Sequence, residues 1–267
     1  EFGGGVINLT TKAVPRDPFI TIGGSIAGNT ETVGQFGYSY FGSKSDWTGF
    51  DNGSRNLPPA LKAFFASGES LNNGTVDTSA IAGQLVRFSR AVVQRVANLP
   101  PNFSLNFSAG KSFDLGGAQF GVIAAAGYSN KWQNRDALQQ SSFSSDLSTL
   151  QTDFERVTTD NRIVVNGLLG LGLEVGENKL RWTNLYIRDT IKQARNQTNA
   201  DFLQQDTAWF ERQLIDTHLV AELKPLDSLS VDLRAGFANS QREAPYQTSF
   251  EYVRTNSAAD PYGNLFV

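Results

Sequence analysis

The chain has 267 residues, no cysteine, no methionine, a single histidine and a net charge of −3 at pH 7. Without cysteine, a disulfide scaffold and a thiolate metal site are excluded, and the acidic balance argues against nucleic-acid binding through a basic footprint. No apolar run approaches the ~20 residues of a membrane-spanning helix, whereas strands that alternate apolar and polar residues average out as hydrophilic and remain a possible way across a bilayer. The 25 glycines, 19 phenylalanines and seven tyrosines suit a β-barrel better than a helical or α/β enzyme. Neither a start methionine nor a signal-peptide pattern opens the chain, so it reads as an internal stretch of a longer protein.

In chain order, a Gly-rich strand at 2–12 comes first. Ile20–Ile26 and Phe36–Tyr40 then read as a loose pair of strands. Segment 44–102 differs in pattern: Leu57-Pro58-Pro59 opens a short helix, and Ile81, Leu85, Phe88, Val92 and Val96 recur at helical spacing. Strict alternation resumes at Asn102–Gly110, with Phe103, Leu105, Phe107 and Ala109 on one face. After the turn Asp114-Leu115-Gly116-Gly117 it continues through Phe120, Val122, Ala124, Ala126 and Tyr128.

A second hairpin sets Ile163, Val165, Gly167, Leu169, Leu171 and Leu173 against Arg162, Asn166 and Glu174. It turns at Gly176-Glu177-Asn178 and returns over about Lys179–Arg188, where Trp182 and Tyr186 compete with Leu185 and Ile187 for the apolar face. The third hairpin places Ile215, Leu219 and Leu223 opposite Asp216, His218 and Glu222. Past Lys224–Ser228, it places Leu229, Val231, Leu233 and Phe237 opposite Asp232 and Arg234. The polar stretches 131–160, 193–207 and 243–267 read as long loops at one end and the tight turns as the other, the asymmetry of outer-membrane barrels. The apolar faces are expected outward, toward lipid. Arg162, Asn166, Glu174, Asp216, His218, Glu222, Asp232 and Arg234 are expected to face a wet lumen. With the short turns all at one end, strands near 19–28 and 33–43 have the wrong up–down parity for such a barrel, so either 44–102 hides another crossing or one early strand is misread.

Two runs resemble TonB-dependent outer-membrane receptors. Phe2-Gly3-Gly4-Gly5-Val6-Ile7-Asn8-Leu9-Thr10-Thr11-Lys12 resembles the closing strand of their plug domain. Gly42-Ser43-Lys44-Ser45-Asp46-Trp47-Thr48-Gly49-Phe50-Asp51-Asn52-Gly53-Ser54-Arg55, followed by Leu57-Pro58, is similar to the start of the barrel in a large branch of that family. The resemblance implies that 1–14 ends a plug and that 15–267 is the N-terminal part of the barrel, with 44–102 a helix-containing insertion. The expected fold is all-β: an antiparallel transmembrane β-barrel, present as about eight of about 22 strands, with long outer loops and a short helical insertion. By the same resemblance Trp47 and Phe50 should be packed, and the charges of the run paired, at a barrel rim near the plug.

The implied activity is TonB-dependent uptake of a scarce nutrient (an iron chelate, cobalamin, a glycan or a peptide) across a Gram-negative outer membrane. The implied partners are the TonB complex, a small nutrient ligand and outer-membrane lipid. Neither nucleic acid nor a cofactor is implied, and the chain is not expected to be an enzyme. A passive porin is the alternative, and an outer-membrane hydrolase would need a serine beside His218. A metal site on His218, Asp216 and Glu222 lacks a second histidine or a cysteine.

Overall fold

The computed structural model describes residues 14–71, 75–87, 91–146 and 148–267. The Gly-rich run at 2–12 lies outside them. Within the described residues the chain is dominated by one antiparallel sheet of seven strands in the order β1-β4-β5-β6-β7-β8-β9. These are β1 (Phe19–Ala27), β4 (Asn102–Asp114), β5 (Ala118–Ser142), β6 (Leu150–Val175), β7 (Asn178–Thr198), β8 (Phe202–Leu226) and β9 (Leu229–Val253). The sheet is open, with β1 and β9 as its edges. Two short strands, β2 (Gly37–Ser39) and β3 (Gln94–Val96), pair separately. No described helix is long and apolar enough to cross a membrane.

Three sequence expectations are corrected. The strand at 20–26 pairs with β4 over Phe19↔Gly110 to Ala27↔Asn102, not with 36–40. Of 36–40, only Gly37–Ser39 is strand, and it lies outside the large sheet. This removes the parity conflict: β1 starts near the short-turn end, and 28–101 becomes one long connection at the opposite end of β1 and β4.

Of the helical spacing expected over 81–96, Ile81 and Leu85 lie in α2 (Thr78–Leu85), which follows α1 (Pro59–Ser67), and Phe88 lies outside the described residues. The last member of the run, Val96, is in β3 and faces Gly37. Finally, most of the polar stretches are strand. β5 and β6 pair from Ala118↔Val175 to Ser142↔Leu150, and only 143–149 connects them. β7 and β8 are joined by 199–201. Polar residues on both faces cost a strand nothing where both faces are solvated, because the ladder still satisfies every backbone group.

The strands are therefore long. β5 to β9 run 21 to 26 residues. β1 and β4, with 9 and 13 residues, stop half-way up the sheet.

Candidate functional site

The register sorts the side chains onto two faces. One cross-strand row reads Lys111, Val122, Leu171, Trp182, Leu219 and Ala235. The next reads Ile20, Ala109, Ala124, Leu169, Asn184, Thr217 and Phe237. Successive rows on this face build an apolar belt on the half of the sheet near the tight turns. The same register settles β7: Leu180, Trp182 and Tyr186 join the belt, and Leu185 and Ile187 take the other face. Among the described residues no second layer covers the belt. Ile22 is 80% exposed and Leu233 55%, and Phe103, Leu105, Phe107, Leu169, Leu219 and Leu229 are exposed as well.

The belt runs obliquely to the strands. Its upper limit is Phe103 on β4, whose row passes through Asn130, Ile163, Thr190 and Glu211 to Glu243 on β9. On β9 the belt ends at Phe237, six residues below Glu243. A drop of six residues over five strand steps, at ~3.4 Å per residue and ~4.8 Å per step, corresponds to strands tilted by about 40° from the belt's normal.

All eight residues expected on the polar side share the opposite face. Glu174, Lys179, Glu222 and Asp232 form one row near the turns, and Arg181 pairs with Glu222. Arg162 forks onto Asp189 at 2.7 and 2.8 Å. Asn166 lies opposite Ile187, and Arg234 opposite Val220. His218 is 2.8 Å from Asp216, while its cross-strand neighbours are Thr183 and Gly236. Neither cross-strand neighbour is a serine. Among the described residues no cluster of His, Cys, Asp or Glu could hold a metal.

Above the belt, on its own face of the sheet, the connection 28–101 is clasped to β6–β8. Arg55 is its centre, 2% exposed. It reaches both Asp46 oxygens at 2.8 Å and Asp51 at 2.5 Å, and lies 3.9 Å from the Trp209 ring. Lys192 reaches across from β7 to Asp46 at 2.8 Å. Next to it, Arg188 donates to the Gly49 carbonyl at 2.7 Å, pairs with Glu211 at 2.6 Å and covers the Phe50 ring. The Tyr40 hydroxyl donates to the Ala208 carbonyl at 2.9 Å.

Gly42 has φ +68°, and a Cβ there would fall 2.0 Å from an Asp46 oxygen, so the motif requires glycine at this position. Burial raises the Asp46 carboxyl, but hydrogen bonds and charge from Arg55 and Lys192 outweigh it and hold it below the ordinary value of 3.8. Asp51 is lowered in the same way, against its burial, by Arg55 and Ser54. Burial pushes the Tyr40 phenol well up, with Arg55 opposing.

The charges of the 46–55 run are thus paired, as expected. Trp47 is not packed, however: its side chain is 65% exposed, and only its carbonyl is held, by the Tyr128 hydroxyl. The run lies above the belt, at the end away from the tight turns. The β-strand half of the clasp (Arg188, Lys192, Trp209 and Glu211) was not singled out from sequence. Its one local signal is a run of charged and aromatic residues on the strand face that carries the belt lower down.

No protein-family model, curated protein or solved structure matches this chain.

Proposed function

We propose that this sheet is a sector of an outer-membrane β-barrel of the TonB-dependent receptor kind, working in energised uptake of a scarce nutrient. The observation that carries the reading is the belt. It is an exposed apolar band of about ten residues per strand, or about 34 Å of strand; tilted by about 40° it stands ~26 Å tall, close to the ~25 Å apolar band of such barrels. The tilt also falls in their ~35–45° range. Apolar side chains left bare on one face, with charged rows on the other, suit lipid outside and water inside. Beyond the belt β5 to β9 continue for a dozen or more further residues, which suits walls standing clear of the membrane and a mouth that captures ligand.

Receptor rather than porin rests on the sequence resemblance at 2–12 and 42–55. In this reading Arg162, Asn166, Glu174, Asp216, His218, Glu222, Asp232 and Arg234 line the lumen. Two measurements test it on the intact protein: outer-membrane fractionation, and growth of a deletion strain on single sources of iron chelate, cobalamin, glycan or peptide, with and without a protonmotive uncoupler. Growth that needs both the protein and the protonmotive force supports energised uptake. Steady ion conductance in planar bilayers without energisation would instead make it a passive channel.

A further inference from the structure

Among the described residues of the belt, Lys111 is the one charged side chain. With Pro18, Ile20, Ala109, Phe113, Val122 and Ala124 it lines an open, shallow groove on this face. Ala109 and Ala124 are small where their row neighbours Ile20 and Leu169 are large, which hollows the face at that point. The Lys111 ammonium lies 5.1 Å from the Phe113 ring, so the side chain is directed toward the tight-turn end. No carboxylate among the described residues forms an ion pair with it.

A lysine on an apolar surface lays its methylenes along that surface and carries its charge to the nearest polar layer. Lys111 is four residues before Leu115, at the turn. This places its Cα roughly 10 Å above the turn for strands tilted by about 40°, within a lysine's reach of the headgroup layer.

We propose that this groove is a specific site for one glycerophospholipid of the leaflet on the tight-turn side, its phosphate on the Lys111 ammonium and an acyl chain along Ile20, Ala109, Val122 and Ala124. The inference rests on the membrane reading above. Charge complementarity selects the occupant: an apolar groove alone would take any hydrocarbon, but an uncompensated cation at its mouth calls for an anion attached to one.

The test uses the intact protein with two separate readouts. Native mass spectrometry follows phosphatidylglycerol bound in a detergent titration. Leu219→Cys, in a chain without cysteine and in an intact protein stripped of any cysteine elsewhere, carries a bimane label quenched by acyl-brominated lipid in nanodiscs. We expect quenching at Leu219→Cys and one tightly held phosphatidylglycerol. Its binding should weaken about fivefold in Lys111→Gln, the weight of one lysine at an anionic lipid surface, and persist in Lys111→Arg. A galactosyl diacylglycerol without phosphate should bind the wild type no better than phosphatidylglycerol binds Lys111→Gln. Quenching together with equal lipid binding by wild type and Lys111→Gln overturns the site and leaves the membrane reading standing. Absence of quenching overturns both.

Discussion

The Arg55 guanidinium and the Trp209 indole lie 3.9 Å apart across a gap of more than 150 residues in sequence. The same guanidinium forks onto Asp46, so a loop motif, an aromatic of β8 and a buried ion pair meet at one point. An ion pair removed from water is expensive to break from one side, because the partner stays buried without compensation; the usual cost is about 3–5 kcal/mol. Arg55→Ala should therefore release 28–101 from the strand face while leaving the seven-strand ladder in place. Arg55→Lys should recover only part, since an ammonium can neither fork nor stack as a guanidinium does. Limited proteolysis of the intact protein reads this directly: new cleavage between 28 and 101 in Arg55→Ala, less in Arg55→Lys. Equal protection in all three proteins would remove the clasp from the account.

The clasp should also be acid-labile in a defined direction. Asp46 and Asp51 have folded pKa values below the ordinary 3.8. Their stabilisation is complete above the unfolded value and is lost as pH falls through the folded one. Protection of 28–101 should stay level from neutral pH down to about 5 and fall only below about 4. Release near pH 6 would point to a different titrating group.

The alternation of Phe103, Leu105, Phe107 and of Leu229, Val231, Leu233 could be read from sequence because apolar residues hold one face of these strands and polar residues the other. The extensions at 131–142 and 150–160 could not. With polar residues on both faces the period of two disappears, and polarity alone looks like a loop. Phe36, Tyr38 and Tyr40 misled for the opposite reason. They alternate like a strand, but Phe36 and Tyr38 pack edge to face on each other and Tyr40 is tied to β8. Asp46, Asp51 and Arg55 could be recognised as a motif, while Lys192 and Trp209, which complete it, are fixed only by the register of β7 on β8.

If the belt lies in lipid, position along it should set the cost of charge. Leu219→Arg, near mid-belt on β8, should destabilise the folded protein by about 2–4 kcal/mol, and Leu229→Arg, at the turn end of β9, by about 0–1 kcal/mol. Reversible unfolding of the intact protein in bilayers gives both values. Equal, small costs at the two positions would contradict a lipid-facing belt.

The 267-residue chain by itself should not form a pore. β9 presents 25 residues at an open sheet edge, and unsatisfied edge groups are not tolerated in hydrocarbon and recruit other strands in water. The purified chain should aggregate and give no discrete conductance steps in planar bilayers. Reproducible single-channel steps would mean that it closes alone.

Trp47 and Asp51 separate what the sequence motif does structurally from what it presents outward. Asp51 accepts from the Gly53 amide at 2.8 Å, the Ser54 hydroxyl at 2.9 Å, the Arg55 amide at 3.1 Å and the Arg55 guanidinium at 2.5 Å. Asp51→Ala removes all four, leaves Arg55 half-compensated in a buried place, and should cost at least the ~1.5–3 kcal/mol of one charged hydrogen bond. On the membrane reading proposed above, less folded protein should reach the outer membrane as a result. Trp47 contributes little packing from an exposed ring, so Trp47→Ala should fold within about 0.5 kcal/mol of wild type, the usual range for surface substitutions. A heat-modifiability assay on the intact protein, run beside a ligand titration, measures both. A large loss of folded protein in Trp47→Ala would return the indole to the packing role that the sequence suggested. Normal folding with lost ligand binding would make it part of the capturing surface.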